Sequence, residues 1–519
     1  MRVSAVLLTL LLSCPLAIAG GTVGFNVKSY SAPQLPFNDI VDGSDCEVTT
    51  GVVIADFNRD GIPDVAYSIN SCGSFVSGDG GVIAKLGTGG GHFGPDVFSD
   101  WGAEALSDMA TADIDGDGML DLVLRVPDSF CLLWVKGNGD GTFQQMSGIG
   151  CVNGGPVAAF TLGDFNRDGK VDLADIGCDQ ENGGFPLGFA DCTLYVFLGD
   201  GSGGFSQSQS VKMASGQTSY TMQSADINGD GNLDLVNVRG SQGLIWWGRG
   251  NGTFAAPTYL KPSTKDPLDA AAVADFNNDG RLDVALMSGK PCRPTPDDSG
   301  CDGPNPDIVW MYKNNGGTNF TLTTHAQIGS QSGIIIPADI NGDLNQDLLR
   351  FNPFADGIYP ILEPAGGYNY ALGLGNDALG TQGTFPESGA SAVAFRDMDG
   401  DSRGDYAVID WFTNQLDIGI QTGGWKNCAP PNSAKLAAKI CGVSNGATVS
   451  SPVLLRAAGN SPAGVNQLQV WIDGKKQYVK WGDQVAKKFT LSAGQHRIAV
   501  VANDKYVGSA TTAINVTVQ

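Results

Sequence analysis

The chain has 519 residues, enough for more than one domain, and its 42% hydrophobic and 16% charged content reads as a soluble protein. A formal net charge of −23 argues against nucleic acid and anionic membrane surfaces as partners. Its 73 glycines, about twice the usual share, and its many short apolar runs point to an all-β, turn-rich architecture.

The N-terminus, MRVSAVLLTLLLSCPLAIA, has one arginine, an apolar stretch too short to span a bilayer, and a small-residue Ala17-Ile18-Ala19 site. Residues 1–19 therefore read as a signal peptide, and the expected location is secreted, cell-surface or periplasmic. Cys14 follows Leu11-Leu12-Ser13, but Leu12 fits a lipoprotein site poorly. No other stretch is apolar enough for a transmembrane segment. The ten remaining cysteines fall into neighbouring pairs: Cys46/Cys72, Cys131/Cys151, Cys178/Cys192, Cys292/Cys301 and Cys428/Cys441. An even count without CxxC spacing favours disulfides over zinc, with nearest-neighbour pairing as the expectation.

A lone strand comes next, GGTVGFNVKSY, and then the first of seven related acidic loops. In DFNRDGIPD, Asp56, Asn58, Asp60 and Asp64 stand at positions one, three, five and nine, with Ile62 offering its carbonyl at seven. Short oxygen-bearing side chains on alternate residues of a tight turn suit a hard cation such as calcium, and glycine at six takes the dihedrals the turn needs. The second loop offers Asp113, Asp115, Asp117, Met119 and Asp121, and the third Asp164, Asn166, Asp168, Lys170 and Asp172. The fourth offers Asp226, Asn228, Asp230, Asn232 and Asp234, and the fifth Asp275, Asn277, Asp279, Arg281 and Asp283. The sixth has Asp339, Asn341, Asp343 and Asp347, and the seventh Asp397, Asp399, Asp401 and Asp405, with Leu344 and Ser402 replacing the glycine.

Aspartates in such turns also make simple Asx-turns. However, three or four carboxylates within nine residues repel one another unless a cation is present. Seven calcium ions would bring the net charge to about −9, making the acidity largely a cation-binding feature. An EF-hand is excluded because position twelve holds Tyr67, Leu124, Asp175, Asn237, Leu286, Arg350 and Val408, and strands rather than helices follow. A dockerin half around Asp175 fails because IGCDQENGG cannot continue as a helix.

The loops recur with a mean spacing near 57 residues. Each is preceded by an apolar stretch and followed by strands such as DVAY or DLVL and by a glycine-rich turn closed by an aromatic, as in GNGDGTF. With roughly four strands per unit, seven units predict a seven-bladed β-propeller whose last blade the N-terminal strand completes. Closing the ring removes exposed sheet edges. These loops resemble the FG-GAP and VCBS repeats of integrin alpha subunits and many exported bacterial proteins, over about residues 22–427. That resemblance implies a propeller with calcium in the loops between the first two strands of each blade, in a family of adhesins, lectins and non-catalytic parts of enzymes.

Residues 428–439 read as a linker. Alternating strands with regular turn signals over 440–519 resemble a bacterial immunoglobulin-like β-sandwich. Arg403-Gly404-Asp405 is unsuited to cell adhesion because Asp405 belongs to the seventh loop. The Gly199-x-Gly201-x-x-Gly204 pattern lies in a hairpin turn with no following helix, so it is not a nucleotide site. Three scattered histidines, His92, His325 and His496, and the absence of HExxH or GxSxG give catalysis little support.

Segments 70–81, 177–192 and 290–306 are long, carry cysteines and lie opposite the acidic loops by strand direction. They are the expected binding face, with Phe75, Phe185, Phe189 and Trp411 as candidate contacts. The expected protein is a monomeric, non-catalytic module that binds an extracellular glycan or protein. The alternative is a polysaccharide lyase or hydrolase, or an accessory domain of one.

Overall fold

The computed structural model describes residues 25–31, 48–69, 80–103, 107–126, 131–144, 147–151, 157–178, 192–213, 221–264, 266–288, 306–330, 333–341, 345–351, 369–384, 390–399, 404–410, 415–422, 428, 430–431, 433, 435–441, 443–451, 453–462, 464–504 and 508–519. Among these residues the regular structure is entirely β. Seven four-stranded antiparallel sheets are followed by a three-stranded and a five-stranded sheet.

Each of the seven sheets begins with a strand running into an acidic loop: Val48–Ala55, Ser107–Ala112, Val157–Gly163, Gln223–Ala225, Leu268–Ala274, Ile334–Ala338 and Ala390–Arg396. The second strand starts at the ninth loop residue, as in Asp64–Ile69, Asp172–Cys178 and Asp234–Arg239, which are buried throughout. Burial on both faces explains why these strands read as continuous apolar runs rather than as alternating ones. The first strands of the first six sheets neighbour one another in chain order. The sixth and seventh sheets share a core through Ile340, Leu349, Tyr406 and Val408, and Val48–Ala55 packs against Ala390–Arg396, so the series returns to its start. This is the arrangement expected of propeller blades.

Neighbouring sheets are joined by apolar seams. Phe57 meets Phe143 edge-on at 5.5 Å, and Phe165 meets Phe254 in the same way at 5.4 Å. In each case a loop's second residue packs on the turn aromatic of the next unit, which explains the Gly-x-Phe signature. The turn containing Gly199, Gly201 and Gly204 joins two antiparallel strands, Cys192–Gly199 and Phe205–Lys212, as its hairpin reading requires.

The seventh sheet takes three strands from residues 390–421 and its fourth from Phe25–Ser31. Phe25 pairs with Gln421 and Ser31 with Gln415. The N-terminal strand thus completes the last sheet.

The C-terminal region has more strands than the sequence shows. Ala437–Cys441, Val453–Asn460 and Gln484–Phe489 form one sheet. Ala447–Val449, Ser509–Val518, Gly494–Asp504, Val465–Ile472 and Lys475–Trp481 form the other, which is mixed because its first pair is parallel. The two sheets share a core that includes Leu455, Leu468, Val470, Ile498 and Val500.

Two disulfides are described, Cys178–Cys192 and Cys428–Cys441, both between sequence neighbours as expected. Disulfides of this kind suggest an extracytoplasmic location. Strand register also sets Cys131 opposite Cys151. Cys46, Cys72, Cys292 and Cys301 lie outside the described residues, as do residues 1–24.

Candidate metal centres

The first five acidic loops share one set of hydrogen bonds, all centred on the side chains predicted as ligands. The position-one carboxylate accepts the N–H of glycine six at 2.9–3.0 Å: Gly61 to Asp56, Gly118 to Asp113, Gly169 to Asp164, Gly231 to Asp226 and Gly280 to Asp275. The residue at three accepts from the N–H of position five, and the carboxylate at five accepts from position seven, as Asp60 does from Ile62 at 2.8 Å. Met119, Lys170, Asn232 and Arg281 donate in the same way to Asp117, Asp168, Asp230 and Asp279. The glycines at six have φ of 82–90°, a left-handed region that a Cβ disfavours. In the sixth and seventh loops Asp343 and Asp401, together with Leu344 and Ser402, lie outside the described residues.

Position nine differs in kind. Asp64, Asp121, Asp172, Asp234, Asp283, Asp347 and Asp405 are all fully buried. In every unit one carboxylate oxygen accepts the N–H of loop position two, at 2.6–3.2 Å. The other oxygen accepts an N–H at the end of the third strand, at 2.7–2.9 Å, from Gly87, Gly137, Gly199, Gly248, Asn314, Gly373 and Gln421 in turn. The ninth aspartate therefore clasps the acidic loop to the hairpin that follows it. Burial drives its carboxyl pKa up from an ordinary 3.8, to about 7 in Asp64, Asp121 and Asp234, about 6 in Asp172 and about 8 in Asp283. Burial also raises Asp56, Asp113, Asp226 and Asp275 at position one. Acidic side chains that burial makes costly to ionise are the groups a bound cation would relieve.

Among the described residues, two sets of three carboxylates bring oxygens within 4.8 Å of one another: Asp113, Asp115 and Asp117, and Asp397, Asp399 and Asp405. In the first set Asp113 Oδ1 is buried without a hydrogen-bond partner. All-oxygen donors at this spacing, one of them orphaned, fit a calcium ion. Lys136 Nζ pairs with both Asp115 and Asp117, and these two carboxylates raise its pKa.

The acidic ends of the first strands surround a cavity of about 730 Å³, whose lining includes Val52, Thr111, Leu162, Ser224, Val273, Pro337 and Arg396. The C-terminal sheets close this end through Gly459–Ser461 and Lys480–Gln484, which sequence patterning did not reveal. Arg396 donates to Ile54 O at 3.3 Å and to Ser461 O at 2.7 Å. Tyr478 and Lys480 reach the fifth loop, donating to Asn278 O at 3.3 Å and Asn278 Oδ1 at 2.6 Å. At the other end, Cys178–Cys192 bridges the two strands that flank residues 179–191. Residues 70–79, 179–191 and 290–305 of the predicted binding face, with Phe75, Phe185, Phe189 and Trp411, lie outside the described residues.

Position twelve, which separated these loops from EF-hands, is buried in every unit. Asn237 accepts from Trp246 Nε1 at 3.0 Å, and Arg350 pairs with Asp307. Asp175 has both oxygens buried without a partner, and burial pushes its carboxyl well above the usual range. The histidines stand apart: His325 stacks on Trp310, and His496 pairs with Asp473 at 2.7 Å.

The FG-GAP-like repeat family matches residues 113–174, 187–237 and 226–286, and these segments hold the second to fifth acidic loops. The chain thus carries FG-GAP-like repeats. No curated protein matches it. Among solved structures it is similar to an Agrocybe aegerita lectin described as recognising non-reducing terminal N-acetylglucosamine, at 15% identity and a TM-score of 0.43, covering 85% of this chain and 99% of that one. It is also similar to the exotype rhamnogalacturonan lyase YesX, at 14% identity and TM-score 0.42, and to the rhamnogalacturonan lyase YesW, at 13% and 0.41. Each of these covers 76% of this chain and 75% of the other.

Proposed function

We propose that this chain is an exported, calcium-stabilised seven-bladed β-propeller with a C-terminal immunoglobulin-like sandwich, acting as a non-catalytic binding module for an extracellular glycan or protein. The observation that carries this reading is the ninth-position clasp, made with the same geometry in all seven sheets. A feature repeated so uniformly serves the frame rather than one reactive centre, which assigns the acidic loops to holding the ring. With calcium bound, the loop carboxylates would be neutralised and the entry to each blade fixed.

Recognition then falls to the opposite face. Cys178–Cys192 closes residues 179–191 into a loop there, limiting the entropy lost when a ligand is bound. The corresponding connection in the fourth sheet, between Arg239 and Gln242, is only two residues long. A glycan array and a binding screen against extracellular proteins, run in calcium beside a polysaccharide-depolymerisation assay, test the reading. The expected result is retention of a ligand without turnover. That retention should be lost when residues 178–192 are replaced by a two-residue turn. Depolymerisation in the same screen would replace this reading with that of an enzyme.

A further inference from the structure

The seven acidic loops are not equivalent in charge. In the first, third, fourth, fifth and sixth, position three is an asparagine, leaving three aspartates at positions one, five and nine. The second and seventh have aspartate at all four positions. The residue just before the third-strand N–H that reaches the ninth aspartate also varies. It is apolar in five units, as Leu86, Leu198, Trp247, Leu372 and Ile420, and lysine in two, as Lys136 and Lys313. This position stands beside the loop because the following N–H is bonded to the loop's own ninth residue. A lysine there can turn its ammonium into the ligand set, and Lys136 does so by pairing with Asp115 and Asp117 together. Lys313 reaches one carboxylate, Asp279, at 3.1 Å.

We infer that Lys136 is an internal competing cation of the second loop, which lowers that loop's affinity for calcium. This rests on the calcium reading of the loops proposed above. The ammonium contacts positions three and five and leaves Asp113 Oδ1 at position one buried and unpartnered. The loop is therefore partly neutralised and not filled. A calcium ion entering it must expel the ammonium from two carboxylates or bind beside a positive charge, and either reduces affinity. With Lys136 counted, the second loop carries the same net charge as the loops with asparagine at position three. The seventh loop, equally rich in aspartate, has Ile420 at the lysine position and lacks this brake.

Calcium titration of the full chain by equilibrium dialysis, with bound ions counted by native mass spectrometry, tests the inference. In the parent chain the second-loop ion should bind at least about tenfold more weakly than it does once the lysine is removed, within the range that ligand charge tunes. Lys136→Leu, which installs the residue of the first and third units, should therefore tighten one ion by that factor. Lys136→Arg should leave the parent isotherm in place. Leu86→Lys should weaken one further ion, a change that does not depend on the folding of the Lys136 variants. If the parent binds several ions and Lys136→Leu and Leu86→Lys both reproduce its isotherm, the lysine has no such role. If no variant binds calcium at all, the calcium reading falls and this inference falls with it.

Discussion

Replacing Asp234 separates the two tasks that a ninth-position aspartate can perform. Its side chain accepts from Ile227 N at 3.0 Å, Asn228 N at 3.4 Å and Gly248 N at 2.8 Å. Asp234→Ala strands at least the two buried donors, Ile227 N–H and Gly248 N–H, at ~1–3 kcal/mol each. The expected loss is about 2–6 kcal/mol against a global stability of about 5–15 kcal/mol. Asp234→Asn keeps the shape but turns an NH2 toward one of those donors, so its cost should be about half as large. Urea unfolding of parent and variants in EDTA and in saturating calcium reads the effect. Hydrogen exchange at the Gly248 amide localises it. A clasp predicts a large loss in EDTA and a lost protection factor at Gly248. If Asp234→Ala unfolds at the parent midpoint in EDTA and differs only in calcium, the residue is a metal ligand alone and the clasp argument is refuted.

Chelation should also expose a pH dependence. The ninth-position carboxyls have pKa values raised to about 6–8 in the folded chain from an ordinary 3.8, so the folded state holds protons that the unfolded state has already released. Their stabilising contribution is full below the unfolded value and is lost as pH climbs toward the folded value, at up to about 1.4 kcal/mol per pH unit for each carboxyl. In EDTA the urea midpoint should therefore fall between pH 5 and pH 8, and calcium should flatten the fall; equal midpoints in EDTA would contradict it. Asp175→Leu, matching Leu124 and Leu286 at the equivalent position, removes an orphaned buried carboxyl. It should raise stability at pH 7 by ~1–3 kcal/mol without changing calcium stoichiometry; a lower midpoint would show that the carboxyl has an unrecognised partner. Arg396→Ala removes the donor bonded to Ser461 O and leaves Asp483 without its nearby positive charge. It should cost ~1–3 kcal/mol where residues 396 and 461 meet. Limited proteolysis reads this as faster cutting within residues 428–439. The fragments should stay joined by Cys428–Cys441 until reduced, and an unchanged cutting rate would show that Arg396 does not hold the two units together.

What could be read from the sequence was local. The acidic loops, the glycines at six and the turn aromatics depend on residues within one turn of one another, so their spacing announces them. The N-terminal strand could be placed because its own Gly-Phe repeats the turn signature of the complete units. The clasp was hidden because Asp64 meets Gly87, and Asp283 meets Asn314, only after a hairpin has folded back. Lys136 was hidden for the same reason: it stands just past the end of the third strand rather than in the loop it neutralises. The docking of Lys480 and Tyr478 on Asn278 leaves no periodic trace, since contacts between segments about 200 residues apart impose no pattern on either. In the C-terminal region Val465–Ile472 and Lys475–Trp481 form a hairpin, with Asp473 and Gly474 in left-handed conformations at the turn.

The pairing of Phe25–Ser31 with Gln415–Gln421 has a consequence for the order in which the protein can be made. Phe25–Ser31 is synthesised long before its partner Gln415–Gln421, so six sheets can form on the emerging chain while the seventh must wait. Bringing such distant segments together carries a loop-closure cost that the early sheets do not meet. Until residue 421 is available, Phe25–Ser31 and the flank of the unfinished ring are open strand edges. That interval is when a nascent chain is most prone to pair with a neighbouring copy.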